Sequence, residues 1–190
     1  MSDQIVETAK PKQVHAIFVG VIDQIAVQRM GNALAVASQQ GVQEVHLLFQ
    51  TAGGMVGDGV CLYNLFRSLP MEIILYNVGT VASIGVIAYL GADQRKTSSG
   101  GTFMIHKTTF SPVGATIDRL QSAANAAAID DQRIESVLHN SITLSEEKWA
   151  LHKVADLWLS ADDAIKAGLA ESIADFSPPV GEQIYYVGQT

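Results

Sequence analysis

Residues 73–92, "IILYNVGTVASIGVIAYLGA", run 20 positions without a charge, about the length of a bilayer span. The same run holds Asn77, Thr80, Ser83 and three glycines, and "NVGT" reads as a turn in its middle. A buried strand, a turn and a buried helix account for it better than a membrane span. Ser83 then sits at the mouth of an apolar helix, between Ala82 and Ile84. There it is either a cap or packing residue, or a nucleophile held on a buried scaffold.

The flanking segments repeat the strand-then-helix pattern. "VHAIFVGVI" (14–22) is short and rich in β-formers. "DQIAVQRMGNALAVASQQG" (23–41) then carries Ile25, Met30, Leu34 and Ala37 at roughly helical spacing and stops at Gly41. "EVHLLFQ" (44–50) predicts a strand, "GG" breaks it, and the chain is helical again through "GDGVCLYNLFRSLP", ending at Pro70. "MEIILYNV" (71–78) is the third strand and "VASIGVIAYLGA" (81–92) the third helix. Three such units with continuous apolar strands predict an α/β fold whose strands are covered on both faces.

After another strand in "GGTFMIH" (100–106), residues 114–142 predict a long alanine-rich helix with Leu120, Ala124, Ile134 and Leu138 as its seam. Ser145 caps a short helix in "SEEKWALHKV". In "LWLSADDAIKAGLAESI" a brief strand leads to a helix opened by Ser160 with Asp163 as a capping box and closed by Gly168. The tail "SPPVGEQIYYVGQT" opens on Pro-Pro and reads as an extended strap or strand. One domain spans 1–190: a core over about 14–106 and 154–176, a long-helix region over about 107–153, and a C-terminal strap over 177–190.

Composition narrows the function. A net charge of −7 without a Lys/Arg cluster argues against nucleic acid or an anionic membrane as partner. With 48% hydrophobic and 16% charged residues, the chain predicts further surface buried between subunits. The single cysteine, Cys61, excludes a disulfide framework, fits a reducing compartment and reads as a core thiol on an amphipathic helix. "MSDQIVETAK" has acids where a signal peptide needs bases. The expectation is a cytoplasmic protein.

A hydroxyl nucleophile needs a base, an orienting acid and donors for an oxyanion. Ser83 stands at a helix start, where free N–H groups and the helix dipole favour negative charge, and the N–H of Ile84 follows it. "TAGG" (51–54) lies just past a strand end, where sites gather in α/β sheets. Its two glycines allow close backbone approach and offer a second donor. His106 ends the "FMIH" strand. Among the acids, Asp118, Asp130, Asp156, Asp162 and Asp163 are not separated by these criteria. Asp162 and Asp163 read as first-turn helix acids. His15, His46, His139 and His152 show no metal-ligand spacing and read as structural or surface residues.

Taken together the motifs resemble the Clp protease proteolytic subunit family. "TAGGMV" stands where members carry a Pro-Gly-Gly turn, "VASIGV" matches the Ala-Ser-x-Gly context of their nucleophile, and "FMIHK" matches their histidine. "DLWLSADDAIKAGL" matches the stretch that follows their acid, which selects Asp156. The spacings agree: 29 residues (54 to 83), 23 (83 to 106) and 50 (106 to 156). The similarity covers about residues 15–173.

The resemblance implies a ClpP/crotonase-like spiral of repeated ββα units with a protruding handle helix. It implies a serine endopeptidase with Ser83 as nucleophile, His106 as general base and Asp156 as orienting acid. Gly54 and Ile84 would supply the oxyanion-hole N–H groups. It implies no metal or organic cofactor, a homo-oligomeric ring, and peptides or unfolded proteins as substrate.

Four departures qualify these expectations. Only about a dozen polar residues precede "VHAIFVG", where members carry an axial loop and a short helix. That puts coupling to an ATPase unfoldase in question. Ala52 replaces the turn proline. Lys107 sits beside the base, a cation that would oppose charge on the imidazole at close range. Val154-Ala155 replaces an Asp-Arg pair used in ring-to-ring contact. Two other readings share the pattern: a crotonase-like acyl-CoA enzyme, which usually lacks the Ala-Ser-x-Gly nucleophile, and a non-catalytic subunit of a Clp-type assembly.

Overall fold

The computed structural model describes residues 12–111 and 114–188. The polar leader before Lys12 and the last two residues of the tail lie outside the described residues. Strands β1 (Gln13–Val19), β2 (Glu44–Gln50) and β3 (Glu72–Asn77) alternate with helices α1 (Gln24–Gln39) and α2 (Val56–Ser68). The short strand β4 (Thr80–Ala82) and helix α3 (Ile84–Tyr89) follow. Strands β5 (Gln94–Thr97) and β6 (Thr102–Ile105) lead to the long helix α4 (Ile117–Ser141). Helix α5 (Glu146–His152), β7 (Leu157–Ser160), α6 (Ala161–Ala167), β8 (Ser172–Ile173) and β9 (Ile184–Tyr186) complete the described chain.

A six-stranded parallel sheet runs in the order β8-β5-β3-β2-β1-β9, and a smaller sheet in the order β4-β6-β7. Before α3 and α4 the chain gives one strand to the large sheet and the next to the small one: β3, β4, α3, then β5, β6, α4. That is the expected spiral of ββα units. Asn77, fully buried, stitches the crossing between sheets. Its Nδ2 donates to the Thr102 carbonyl at 2.9 Å and its Oδ1 accepts from the Gly79 N–H at 3.1 Å. The "NVGT" turn is thus the hinge between sheets.

Several details depart from the sequence reading, each for a geometric reason. Residues 80–82 pair with Phe103 and its neighbours instead of starting the helix, because the β-ladder captures them. The buried stripe of α1 is Ala26, Met30 and Leu34. Ile25, five residues from Met30, falls off that face and is 51% exposed. On α2 the stripe is Gly59, Leu62 and Phe66, so Cys61 is exposed rather than a core thiol. In α4 only Ile134 and Leu138 are buried. Leu120 and Ala124 are exposed, because the first half of that helix runs beyond the core it was expected to seam. β2 alternates buried and half-buried residues, so the large sheet is not covered on both faces along its whole width.

The local end signals hold. Ser145 accepts from the Lys148 N–H, Ser160 from the Asp163 N–H at 3.2 Å, and Gly168 ends α6 at φ +75°. The tail forms the edge strand β9 beside β1, and Phe176 in the preceding strap packs edge-on against His15 and Tyr76. Tyr185 and Tyr186 are half exposed, while Val187 enters the core.

Candidate active site

Ser83 follows β4 directly, its N–H bonded to the Met104 carbonyl of β6 at 2.7 Å. Its backbone lies at φ +58°, ψ −132°, the one non-glycine residue with positive φ among the described residues. Such a conformation costs of order 1–3 kcal/mol, and surrounding structure must impose it. The side chain makes no capping bond to α3. Its Oγ lies 2.7 Å from His106 Nε2 instead. The cap reading of Ser83 therefore does not describe this structure.

The "TAGG" turn lies against Ser83. Thr51 Oγ1 accepts from the Gly53 N–H at 2.9 Å. Ile22, just past β1, donates to the Gly53 carbonyl and accepts from the Met55 N–H, both at 2.9 Å. These bonds hold the turn without the proline that Ala52 replaces. A Cβ on Gly53 would lie 2.6 Å from Ser83 Cβ, and one on Gly54 would lie 2.0 Å from the Ile22 carbonyl oxygen. Neither the Gly54 nor the Ile84 N–H donates a hydrogen bond among the described residues. Both residues line a cavity of about 60 Å³ together with Ser83 and His106, walled by Val56, Ile87, Ile134 and Leu138.

β6 brings in the histidine and β7 the acid. The two strands are antiparallel with Ile105 opposite Leu157, so one step further sets His106 opposite Asp156. His106 Nδ1 and Asp156 Oδ1 are 3.9 Å apart, within ion-pair range but beyond a hydrogen bond. The Asp156 side chain is 59% exposed. Lys107 bonds Glu135 of α4 at 2.5 Å, so its charge is paired there. Burial pushes the Glu135 carboxyl up, but bonds from Lys107 and His152 outweigh it and hold the group below the usual carboxylate range.

The other candidates are engaged elsewhere. Asp130 pairs with Arg133 at 2.7 Å, and Asp163 with Lys148 and Ser160. Asp118 and Asp162 occupy the first turns of α4 and α6. His15 bonds Glu182 at 2.6 Å and stacks on His46, while the His139 ring lies tilted against Trp149. Sequence reasoning missed Thr51, which pins the glycine turn, and Glu135, which bonds Lys107 and His152 from a distant helix. The first had a local signal, a threonine two residues before a turn glycine. The second had none.

A hydroxyl bonded to an imidazole at the carboxyl end of a strand, over a cavity with free N–H donors, is the layout of a serine hydrolase. Comparison with known proteins agrees in class. The Clp protease family matches over residues 3–176. An ATP-dependent Clp protease proteolytic subunit from Deinococcus radiodurans is 26% identical over 163 residues, covering 84% of this chain and 79% of that relative. A proteolytic subunit 2 from Prochlorococcus marinus is 28% identical over 166 residues, covering 83% and 80%. A solved ClpP1 mutant from Listeria monocytogenes superposes with a TM-score of 0.73 at 21% identity, covering 87% of this chain and 92% of that one.

This chain belongs to the Clp protease family. It has the fold of that family and its enzyme class, a serine-type peptidase subunit. Members form oligomeric rings and bind peptide substrates. No helix among the described residues is long and apolar enough to cross a membrane.

Proposed function

We propose that this chain hydrolyses peptide bonds through an acyl-enzyme on Ser83. The observation that carries the reading is the 2.7 Å contact from Ser83 Oγ to His106 Nε2, made by a strained serine with no capping duty. His106 Nε2 takes the hydroxyl proton as Oγ attacks the scissile carbonyl. The oxyanion that forms is stabilised by the Gly54 and Ile84 N–H groups. His106 then gives the proton to the departing amine, leaving an ester on Ser83. Water, deprotonated by the same nitrogen, releases the acid product and restores Oγ–H. Asp156, 3.9 Å from Nδ1, steadies the imidazolium electrostatically across that gap.

Peptides and unfolded segments fit as substrate, since the reacting atoms lie beside a small cavity with both apolar walls and polar groups. A homo-oligomeric ring fits the apolar composition and the exposed Ile117, Leu120 and Ile129 of α4. The exposed single thiol of Cys61 fits a reducing compartment such as the cytoplasm. The test is labelling with a fluorophosphonate, read by mass spectrometry, in the native chain and in Ser83→Ala and His106→Ala. An adduct on Ser83 that needs His106 supports the reading. An intact, correctly assembled protein that takes no label overturns it.

A further inference from the structure

Two struts converge on one carboxylate oxygen beside the site. Glu135 Oε1 accepts from Lys107 Nζ at 2.5 Å and from His152 Nε2 at 2.9 Å. Lys107 is the residue after His106, and His152 lies four residues before Asp156. Glu135 Oε2 faces His139 at 3.2 Å on its own helix. One turn earlier in α4, Asp131 accepts from the Thr108 N–H at 2.8 Å. The segment that carries the base is therefore pinned to α4 at two points, and α5, which leads to the acid, at a third.

The burial of this junction marks it as more than a surface ion pair. His152 is 1% exposed, and its Nδ1 has no hydrogen-bond partner. A tautomer with its proton on Nε2 satisfies Glu135 and leaves only a lone pair unpartnered at Nδ1. Without that bond the buried Nε2–H would be left unpaired, which penalises the imidazole in its present position. Lys107, half-buried, likewise has Glu135 as its hydrogen-bond partner. Loss of the carboxylate would remove one tie from each segment at once, leaving the Thr108–Asp131 bond on the side of the base. The His106–Asp156 gap is the site's one loose dimension, and its two sides are the segments that Glu135 ties together.

We propose that Glu135 is a positioning residue that sets the separation of His106 and Asp156 from the long helix. This rests on the peptidase reading of Ser83 and His106. Movement of α4 would reach the base and the acid together through one side chain, while the Ser83 turn, held by backbone ladders, stays fixed.

The test uses the full chain with Glu135→Gln, which keeps the shape and removes the charge, and Lys107→Met, which removes one strut. Hydrolysis of a short fluorogenic peptide and the rate of fluorophosphonate labelling are measured on proteins with native assembly state and melting behaviour. Glu135→Gln should lower kcat and the labelling rate by about tenfold to 10²-fold with KM within about twofold. The double variant should be no slower than the slower single one, because both act through the same contact. Native labelling rate and kcat in both single variants would overturn this inference alone. Should Glu135→Gln fail to fold, Lys107→Met decides by itself. Absence of labelling in the native chain would sink the peptidase reading, and this inference with it.

Discussion

The two halves of the site are built by different means. Ser83, Gly53 and Gly54 are set by backbone bonds: Ser83 to Met104, Gly53 to Ile22, and Met55 to Ile22. The half that joins His106 to Asp156 lies one step past the end of the β6–β7 ladder, where side chains from α4 and α5 brace it. The first closes to 2.7 Å; the second stays open at 3.9 Å, with a largely exposed carboxylate. A backbone ladder is cooperative and shared among many residues, whereas a side-chain junction can be shifted by moving one helix. Ser83 is thus held by the backbone, and the separation of His106 from Asp156 is the adjustable part.

The sharpest way to break the fixed half is to remove its chemistry. Ser83→Ala and His106→Ala should each lower kcat by about 10⁴-fold or more, with little change in melting temperature, as read by peptide hydrolysis and calorimetry. Gly54→Ala attacks the same half through its backbone. A methyl group would sit 2.0 Å from the Ile22 carbonyl oxygen, so the turn must shift and carry an oxyanion donor with it. A loss of about 10²–10³-fold in kcat is expected, together with a lower melting point.

The adjustable half should respond less. A tightly bonded triad acid is worth about 10⁴-fold. Asp156 does not touch the imidazole in this state, and its side chain is solvated. Asp156→Asn should therefore cost only about 10–10²-fold in kcat, since the acid acts on the imidazolium across a solvated gap. A full 10⁴-fold loss would mean that the gap is closed throughout turnover, and that the two halves do not differ in rigidity.

The same contrast governs what the sequence could disclose. The units up to His106 were legible because apolar strands, glycine stops and helix caps are local signals, and the pair Ser83 and His106 sits at ends of elements they define. β5 was missed because "QRKT" has no strand character of its own and pairs only because β3 and β8 flank it. Asp156 was selected by family resemblance, while its physical reason is the antiparallel register of β6 and β7, which no spacing along the chain discloses. The Glu135 junction is likewise a product of tertiary packing. Sequence reading placed Ser83, His106 and the glycine turn at the ends of local elements, but the roles given to them, like that of Asp156, came from the family resemblance.

Acid should loosen the adjustable half first. The folded Glu135 carboxyl lies below its ordinary range, so it contributes stability that is fully present above the unfolded value of about 4.3. That contribution is lost as pH falls through the folded value. Melting temperatures taken from about pH 6 to about pH 3 should fall more steeply for the native chain than for Glu135→Gln. Parallel curves would mean that the Lys107 and His152 contacts add nothing to folding.

The smallest effect expected is also the one that tests whether the fixed half stores strain. Ser83 holds φ +58° with a Cβ, a conformation that glycine adopts freely. Ser83→Ala keeps the Cβ and the strain; Ser83→Gly removes both along with the hydroxyl. Removing the strain offers about 1–3 kcal/mol, and the extra freedom of an unfolded glycine takes back about 1 kcal/mol. Ser83→Gly should therefore melt slightly above Ser83→Ala, by the equivalent of about 1 kcal/mol, although neither variant can be acylated. Were Ser83→Gly the less stable of the two, the serine backbone would be unstrained, and its rigidity would have to come from the Gly53–Ile22 clamp alone.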